Sequence, residues 1–138
     1  MREIKFREWD KDSKLMDNVV RLEVDDSGHF DTAEGYGNVY HNFELMQYTG
    51  LHDKNGREIY EGDIVHVWDN GVAVVIFDES LGCGQWICKF KPAFPDFEEW
   101  SAPLYGWLDG NVDGSVFEIL GNVYETQELM EVAKHDAD

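Results

Sequence analysis

The sequence predicts a mainly β protein with a short C-terminal helix, and three observations lead to this prediction. Residues 45–65 place two chain-reversal signals and three short apolar runs within twenty-one residues. Elsewhere, short runs alternate apolar and polar residues with a period of two, which is typical of half-buried strands. All three prolines lie within residues 91–103, outside these runs, so they interrupt none of the predicted strands.

The two reversals in residues 45–65 use residues with special backbone freedom. Asn55 and Gly56 tolerate positive φ, and the Asp53 side chain can bond to its own backbone further along, which predicts a tight hairpin. Gly62 and Asp63 predict a second turn directly before a β-prone run. A Gly-Asp turn that leads into a hairpin is the usual opening of SH3-like barrels.

The same stretch resembles a known family. Residues 47–65, QYTGLHDKNGREIYEGDIV, resemble the signature of the YopX-like proteins of bacteriophages and prophages. MREIKFREWDKDSKLM and FEILGNVYETQELME resemble that family's opening and closing patterns, whereas residues 83–113 depart from it. The resemblance implies a β-rich fold with an SH3-like barrel and a phage or prophage origin. It implies no functional residues, because the family has no established activity.

The first half of the chain predicts a β-hairpin layer. Residues 2–9 alternate in polarity and predict a strand that pairs with a second strand at about residues 16–24, in which Val20, Leu22 and Val24 share one face. Residues 29–38 predict a loop, and residues 39–46 predict a third strand. The expected organisation is an N-terminal β-layer (1–47), an SH3-like β-barrel (48–125), and a short helix and tail (126–138).

The second half predicts the barrel strands. The Asp69-Asn70-Gly71 turn joins residues 64–68 to the apolar run 72–77, which we expect to be covered on both faces. Residues 85–90 alternate and predict the next strand. Residues 91–103 predict an irregular loop, and residues 104–108 and 116–120 a last strand pair. Thr126 is expected to cap a helix from Gln127 to about His135, which would need to dock on the domain or on another subunit.

The net charge of −18 narrows the possible partners. Residues 1–57 hold 8 Lys and Arg against 12 Asp and Glu, whereas residues 58–138 hold 3 against 17 and therefore carry a net charge of −14. Such a surface repels a polyanion, so direct nucleic-acid binding is not expected. The basic residues of the N-terminal arm alternate with acidic ones, including Glu8 and Asp10, and predict a solvated strand of mixed charge.

The aromatic residues Phe94, Phe97 and Trp100 form the candidate partner surface. They lie in the proline-rich segment and have two alternatives: they pack back on the barrel, or they remain exposed and contact a partner. Asn55, Gly56, Gly62 and Asp63 are interpreted as structural turn residues, so residues 45–65 are expected to join the N-terminal layer to the barrel and not to bind a ligand.

No catalytic, cofactor or metal site is predicted. Asp109, Asn111 and Asp113 match the first half of an EF-hand loop, but position twelve is Leu120 and not the closing Glu, so a polar turn is favoured and a weak cation site stays an alternative. The five histidines are scattered, and the serines lie in turns or loops. Cys83 and Cys88 have the spacing of neither a redox pair nor a zinc knuckle and are expected to be reduced thiols.

These observations favour a phage or prophage accessory protein that acts by protein–protein contact, is a homo-oligomer and is not an enzyme. One alternative is an acidic DNA mimic that inhibits a host nucleic-acid enzyme. A further alternative, nucleic-acid binding by the barrel, rests on fold analogy. No apolar run approaches the length of about 20 residues that a membrane span needs, and the opening lacks a leader pattern, so we expect a cytoplasmic location in the bacterial host and no membrane partner.

Overall fold

The computed structural model describes residues 3–35, 37–68, 71–80, 82–91, 100–104 and 116–130. Over these ranges the protein is mainly β, as the sequence predicts, with twelve strands and one 3₁₀ helix at the C-terminal end. The chain divides into two compact units, residues 1–50 and residues 51–138.

Most of the strands have six residues or fewer, and β6 and β9 are the longer ones. The first unit contains β1 (Phe6–Asp10), β2 (Leu15–Asn18), β3 (Arg21–Val24), β4 (Phe30–Glu34), β5 (Val39–Tyr40) and most of β6 (Phe43–His52). The second unit contains β7 (Glu58–Tyr60), β8 (Asp63–Val67), β9 (Gly71–Asp78), β10 (Gln85–Phe90), β11 (Trp100–Pro103), β12 (Phe117–Asn122) and the 3₁₀ helix (Gln127–Met130).

In the first unit, β1 pairs antiparallel with both β2 and β6, and the predicted hairpin of the first two strands is present. The prediction of one continuous second strand is wrong. The backbone N–H of Val19 bonds to Phe6 on β1, whereas the N–H of Val20 bonds to Glu34 on β4. Because the chain changes hydrogen-bonding partners here, β3 leaves the first sheet. Val20 and Val24 are therefore more than half exposed and do not form a buried face.

The prediction of a loop at residues 29–38 is wrong for residues 30–34. They form β4, the central strand of a second sheet with the order β3-β4-β5. Ala33 is fully buried and lies opposite Leu22 on β3 and Tyr40 on β5. The alternating pattern is weak because small Ala33 is the buried residue of this strand. The predicted third strand (39–46) is likewise interrupted, since β5 ends at Tyr40 and β6 begins at Phe43 and continues to His52.

The second unit is built on a five-stranded antiparallel sheet with the order β11-β10-β9-β8-β12, curled into a half-barrel. The predicted hairpin joins β8 to β9, with Val67 opposite Gly71. One face of the sheet forms the main core, with fully buried residues contributed by four of its strands: Val65, Val67, Ala73, Val75, Cys88, Phe90 and Phe117. The expectation that residues 72–77 are covered on both faces is wrong at the end of the run, because Phe77 is 43% exposed.

The second strand of the expected last pair is present as β12, which pairs with β8. Of its predicted partner segment, residues 104–108, only Leu104 lies among the described residues. The prediction that residues 91–103 are irregular is wrong for residues 100–103, which form β11. Pro103 fits there because it is the last residue of a strand at one end of the sheet order, where its missing backbone N–H removes no bond from the interior of the sheet.

The C-terminal helix is shorter in the described residues than predicted, because the 3₁₀ helix ends at Met130 and residues 131–138 lie outside the described ranges. Thr126 does not use its hydroxyl as the expected helix cap. Its Oγ1 accepts the N–H of Asn122 at 2.9 Å and donates to the carbonyl of Asn122 at 3.0 Å. The helix is held against the sheet by contacts with β9 and by a bond of 3.4 Å from Lys91 Nζ to the carbonyl of Leu129.

Candidate functional site

The turn between β6 and β7 is organised by the buried carboxylate of Asp53, which is 2% exposed. Its Oδ1 accepts the backbone N–H groups of Asn55 and Arg57, both at 2.9 Å, while the N–H of Asp53 donates to the Arg57 carbonyl at 2.7 Å. Gly56 has a φ of 81°, and among the described residues the only side-chain-bearing residues at positive φ are Lys14 and Trp68. The hairpin therefore uses the freedom of Gly56 and not that of Asn55.

Asp53 also connects this turn to β12, a contact that the sequence does not suggest. Its Oδ2 accepts the N–H of Ile119 at 3.1 Å and pairs with Arg57, whose Nη2 donates to the Ile119 carbonyl at 2.7 Å. Burial by itself would raise the pKa of the Asp53 carboxyl. The N–H groups of Ile119, Arg57 and Asn55, together with the charge of Arg57, outweigh burial and hold that pKa below its usual range.

The second turn, at Gly62 and Asp63, lies at the start of the half-barrel. Asp63 is 1% exposed, and its Oδ2 accepts the N–H of Tyr60 at 2.8 Å. Gly62 has a φ of 86°; its N–H donates to the Val75 carbonyl at 2.8 Å and its carbonyl accepts the N–H of Val123 at 2.9 Å. These contacts give both residues a structural role in this turn, and neither residue lines the groove described below.

Trp100 is the member of the candidate partner surface that the structure describes, because Phe94 and Phe97 lie outside the described residues. It is the first residue of β11, opposite Phe90 on β10. The two rings stack with their centroids 4.0 Å apart and their planes 4° from parallel, although Phe90 is fully buried and Trp100 is 45% exposed. Trp100 thus combines the two alternatives considered for this segment: one side packs on the core and the rest faces solvent.

A groove of about 290 Å³ lies beside Trp100 on the second unit. Its apolar lining includes Ile76 and Ile87, and its charged lining includes Asp78 and Lys89. The Asp78 carboxylate accepts the N–H and the hydroxyl of Ser80 at 3.3 and 3.0 Å. A groove with this mixture can receive an apolar side chain and orient it with polar contacts. A mixture of apolar and polar residues is usual at recognition surfaces.

Sequence reasoning missed most of this groove. The pairing of β10 with β11 brings Ile87 and Lys89 near Trp100 and Ser101, and no local pattern predicts this pairing because residues 92–99 intervene. It also missed the exposure of Trp68, which is 69% exposed directly after β8. The sequence places Trp68 in the same apolar run as residues 64–67 and contains no signal that separates it from them.

The remaining candidates are the metal-ligating residues and the two cysteines. Within these ranges no three His, Cys, Asp or Glu side chains are grouped so that they could hold a metal ion, and Asp109, Asn111 and Asp113 lie outside them. Cys83 is exposed and Cys88 is buried, and both are free thiols. Burial raises the pKa of Cys88 to about 12, so its thiol stays protonated near neutral pH and is a poor nucleophile.

No helix in the part of the chain that the structure describes has the length and apolar character needed to cross a membrane.

Comparison with known proteins agrees with the signature at residues 47–65. The fold is similar to that in the crystal structure of protein EF1440 from Enterococcus faecalis, with 24% identity and a TM-score of 0.57 over 95% of this chain and 100% of that chain. A search of curated proteins gives no significant match. The sequence profile of the YopX protein family matches residues 5–131, which is most of the chain. This protein therefore belongs to the YopX family.

Proposed function

We propose that this protein is a non-catalytic protein-interaction module, an accessory protein of a phage or prophage that acts in the cytoplasm of the bacterial host. The observation that supports this best is the environment of Trp100, which is half exposed but fixed by its stack on Phe90. A large aromatic side chain that is already ordered loses little entropy when a partner covers it, and tryptophan is enriched among the residues that dominate binding energy.

The charge of the chain indicates the chemistry of the partner surface. With a net charge of −18, the protein attracts a basic protein surface and repels nucleic acid. Lys89 in the groove beside Trp100 is one of only 3 Lys and Arg residues after residue 57, so the groove is locally less acidic than the sequence around it. The partner is therefore expected to place an apolar side chain against Trp100 and basic residues around the edge of the contact.

A capture experiment with matched tryptophan variants tests this proposal. Tagged wild-type protein, Trp100→Ser and Trp68→Ser are used as bait in host-cell extract, because both tryptophans are exposed but only Trp100 lines the groove. We expect wild type and Trp68→Ser to capture the same protein. Trp100→Ser should capture at least about tenfold less of it, which corresponds to a loss of about 1.4 kcal/mol of binding energy. Far-UV circular dichroism confirms that each variant is folded.

Two outcomes would contradict the proposal: equal capture by all three baits, or loss with Trp68→Ser alone. If the captured protein is a nucleic-acid enzyme that DNA displaces from all three baits, the acidic DNA-mimic alternative is favoured, since carboxylates would then compete with phosphates for the same basic site.

We also propose that the protein self-associates. Leu129 and Met130 in the 3₁₀ helix are only partly buried, and a second copy of the chain that covered them would remove their remaining apolar surface from water. Size-exclusion chromatography with light scattering at micromolar concentration is expected to give a mass of at least twice 15.9 kDa. A mass equal to that of one chain would refute self-association. It would not contradict the proposal that Trp100 contacts a protein partner.

A further inference from the structure

Glu8, in the middle of β1, is a buried carboxyl group that the proposed function does not use. Its side chain is fully buried, and neither carboxyl oxygen has a hydrogen-bond partner among the described residues. Buried carboxylates are normally paired with a cation or satisfied by donors, because an ionised group without partners is costly to remove from water. The expectation of a solvated strand of mixed charge is therefore wrong at Glu8, and also at Asp10, which is 6% exposed.

Each element that packs against Glu8 places a side chain near its carboxyl group. None of these described side chains is a cation. Asp10 lies two residues further along β1, on the same face of the strand. Asp17 on β2 and Leu45 on β6 lie directly opposite Glu8 in the two strand pairings. Tyr40 on β5 donates its hydroxyl to Asp17 Oδ2 at 2.9 Å. Burial, and then the hydrogen bond to Asp17 and the charge of Asp17, raise the pKa of this tyrosine, and the charge of Glu8 adds to the rise.

The nearby basic residues are engaged elsewhere. Lys11 pairs with Glu44 at 2.7 Å, and Arg7, on the opposite face of β1 from Glu8, directs its Nε to Met46 Sδ at 3.4 Å. Asp10 is held in its ionised form, because hydrogen bonds from Ser13 lower its pKa. Glu8 therefore faces one carboxylate fixed in the charged state and a second that already accepts a hydrogen bond from Tyr40.

We propose that residues 1–50 form a pH-sensitive unit, which packs tightly when Glu8 is protonated and loosens when Glu8 loses its proton near neutral pH. Ionisation would place a third negative charge beside Asp10 and Asp17, and no donor among the described residues bonds to its oxygens. Burial in the first place, and then the charges of Asp10 and Asp17, raise the pKa of Glu8 from 4.5 to about 7. A rise of this size moves the ionisation of Glu8 into the physiological range.

The direction of the effect follows from proton linkage. The folded unit binds the proton on Glu8 more tightly than the unfolded chain does. The stability that protonated Glu8 contributes is therefore fully present below about pH 4.5 and is lost as the pH rises through about 7. Above that pH the contribution stays absent. This differs from an ordinary surface carboxylate, whose ionisation changes stability little in either direction.

The test uses the full chain as wild type, Glu8→Gln and Glu79→Gln. Glu79 is exposed, so its replacement removes the same charge without changing a buried site. The melting temperature of each protein is compared between about pH 5 and about pH 8. For wild type and for Glu79→Gln, the fall over this range should exceed the fall for Glu8→Gln by on the order of 5 °C. After correction for the intrinsic rate, amide exchange in residues 1–50 at the higher pH should be roughly tenfold faster in wild type than in Glu8→Gln.

Carboxyl NMR titration of Glu8 in the wild-type protein keeps the proposal testable if Glu8→Gln does not fold. A midpoint near 7 supports the proposal, and a midpoint near 4.5 overturns it. Parallel melting curves for wild type and Glu8→Gln across this pH range, or faster exchange confined to residues 51–138, would also overturn it.

Discussion

Replacement of Asp53 by alanine should lower the free energy of unfolding by about 3 kcal/mol, because it leaves three backbone N–H groups without their acceptor at once. Those groups belong to Asn55 and Arg57 in the turn and to Ile119 on β12. The change also removes the carboxylate that pairs with Arg57 at 3.1 Å. Urea denaturation followed by fluorescence measures the loss.

Asp25→Ala is the matched control, because Asp25 makes the same kind of turn in an exposed position. Its Oδ1 accepts the N–H groups of Ser27 and His29 at 2.9 and 3.0 Å. Water can replace these contacts, so we expect a loss below about 1 kcal/mol. Equal losses for Asp53→Ala and Asp25→Ala would show that the connection to Ile119 contributes little.

The stabilisation by Asp53 should also depend on pH in the opposite sense to that of Glu8. Because the pKa of Asp53 is lower in the folded protein than its usual value of 3.8, its contribution is fully present above about that pH. It is lost as the pH falls through the lowered pKa. The difference in stability between wild type and Asp53→Asn should therefore shrink in acid, and a difference independent of pH would contradict the role of the charged form.

Replacement of Gly62 by valine should lower the melting temperature by about 10 °C, since a β-branched residue is strongly disfavoured at a φ of 86°. The backbone has little room to relax, because the N–H of Gly62 bonds to Val75 and its carbonyl bonds to Val123. A valine there must either accept the strained conformation or break the bonds to Val75 on β9 and to Val123, which directly follows β12. Differential scanning calorimetry measures the change.

Gly28→Val separates backbone strain from the loss of these contacts. Gly28 has a similar φ of 90°, but it lies in an exposed turn where an added Cβ would meet nothing within 4 Å. We expect Gly28→Val to lower the melting temperature by about half as much as Gly62→Val or less, because the exposed turn can open toward solvent. An unchanged melting temperature in Gly62→Val would refute the structural role of this turn.

The parts of the fold that the sequence predicted are those set by local chemistry. Gly56 and Gly62 both take positive φ in turns, as their position between apolar runs indicates. The β8–β9 hairpin follows from two apolar runs around a turn ending at Gly71, and β10 follows from the alternation of Trp86, Cys88 and Phe90. In each case a few adjacent residues contain the whole signal.

The errors arise where distant residues decide the outcome. The change of hydrogen-bonding partners between Val19 and Val20 depends on Phe6 and Glu34, which local polarity does not specify. Glu8 reads as a solvent-facing residue because it is charged, yet it is fully buried in a strand that is paired on both sides. At the candidate site, Trp100 was identified by composition, whereas its partner Phe90 followed only from the strand pairing.

The most direct test of the central claim, that the Trp100 surface contacts a protein partner, is site-specific photo-crosslinking in host cells. The photoreactive residue p-benzoylphenylalanine replaces Trp100 or, as the control, Trp68, which is also exposed but does not line the groove. We expect a discrete, light-dependent adduct with a protein at position 100 and none at position 68. An adduct only at position 68, adducts of equal yield at both positions, or an adduct with nucleic acid at position 100 would contradict the claim.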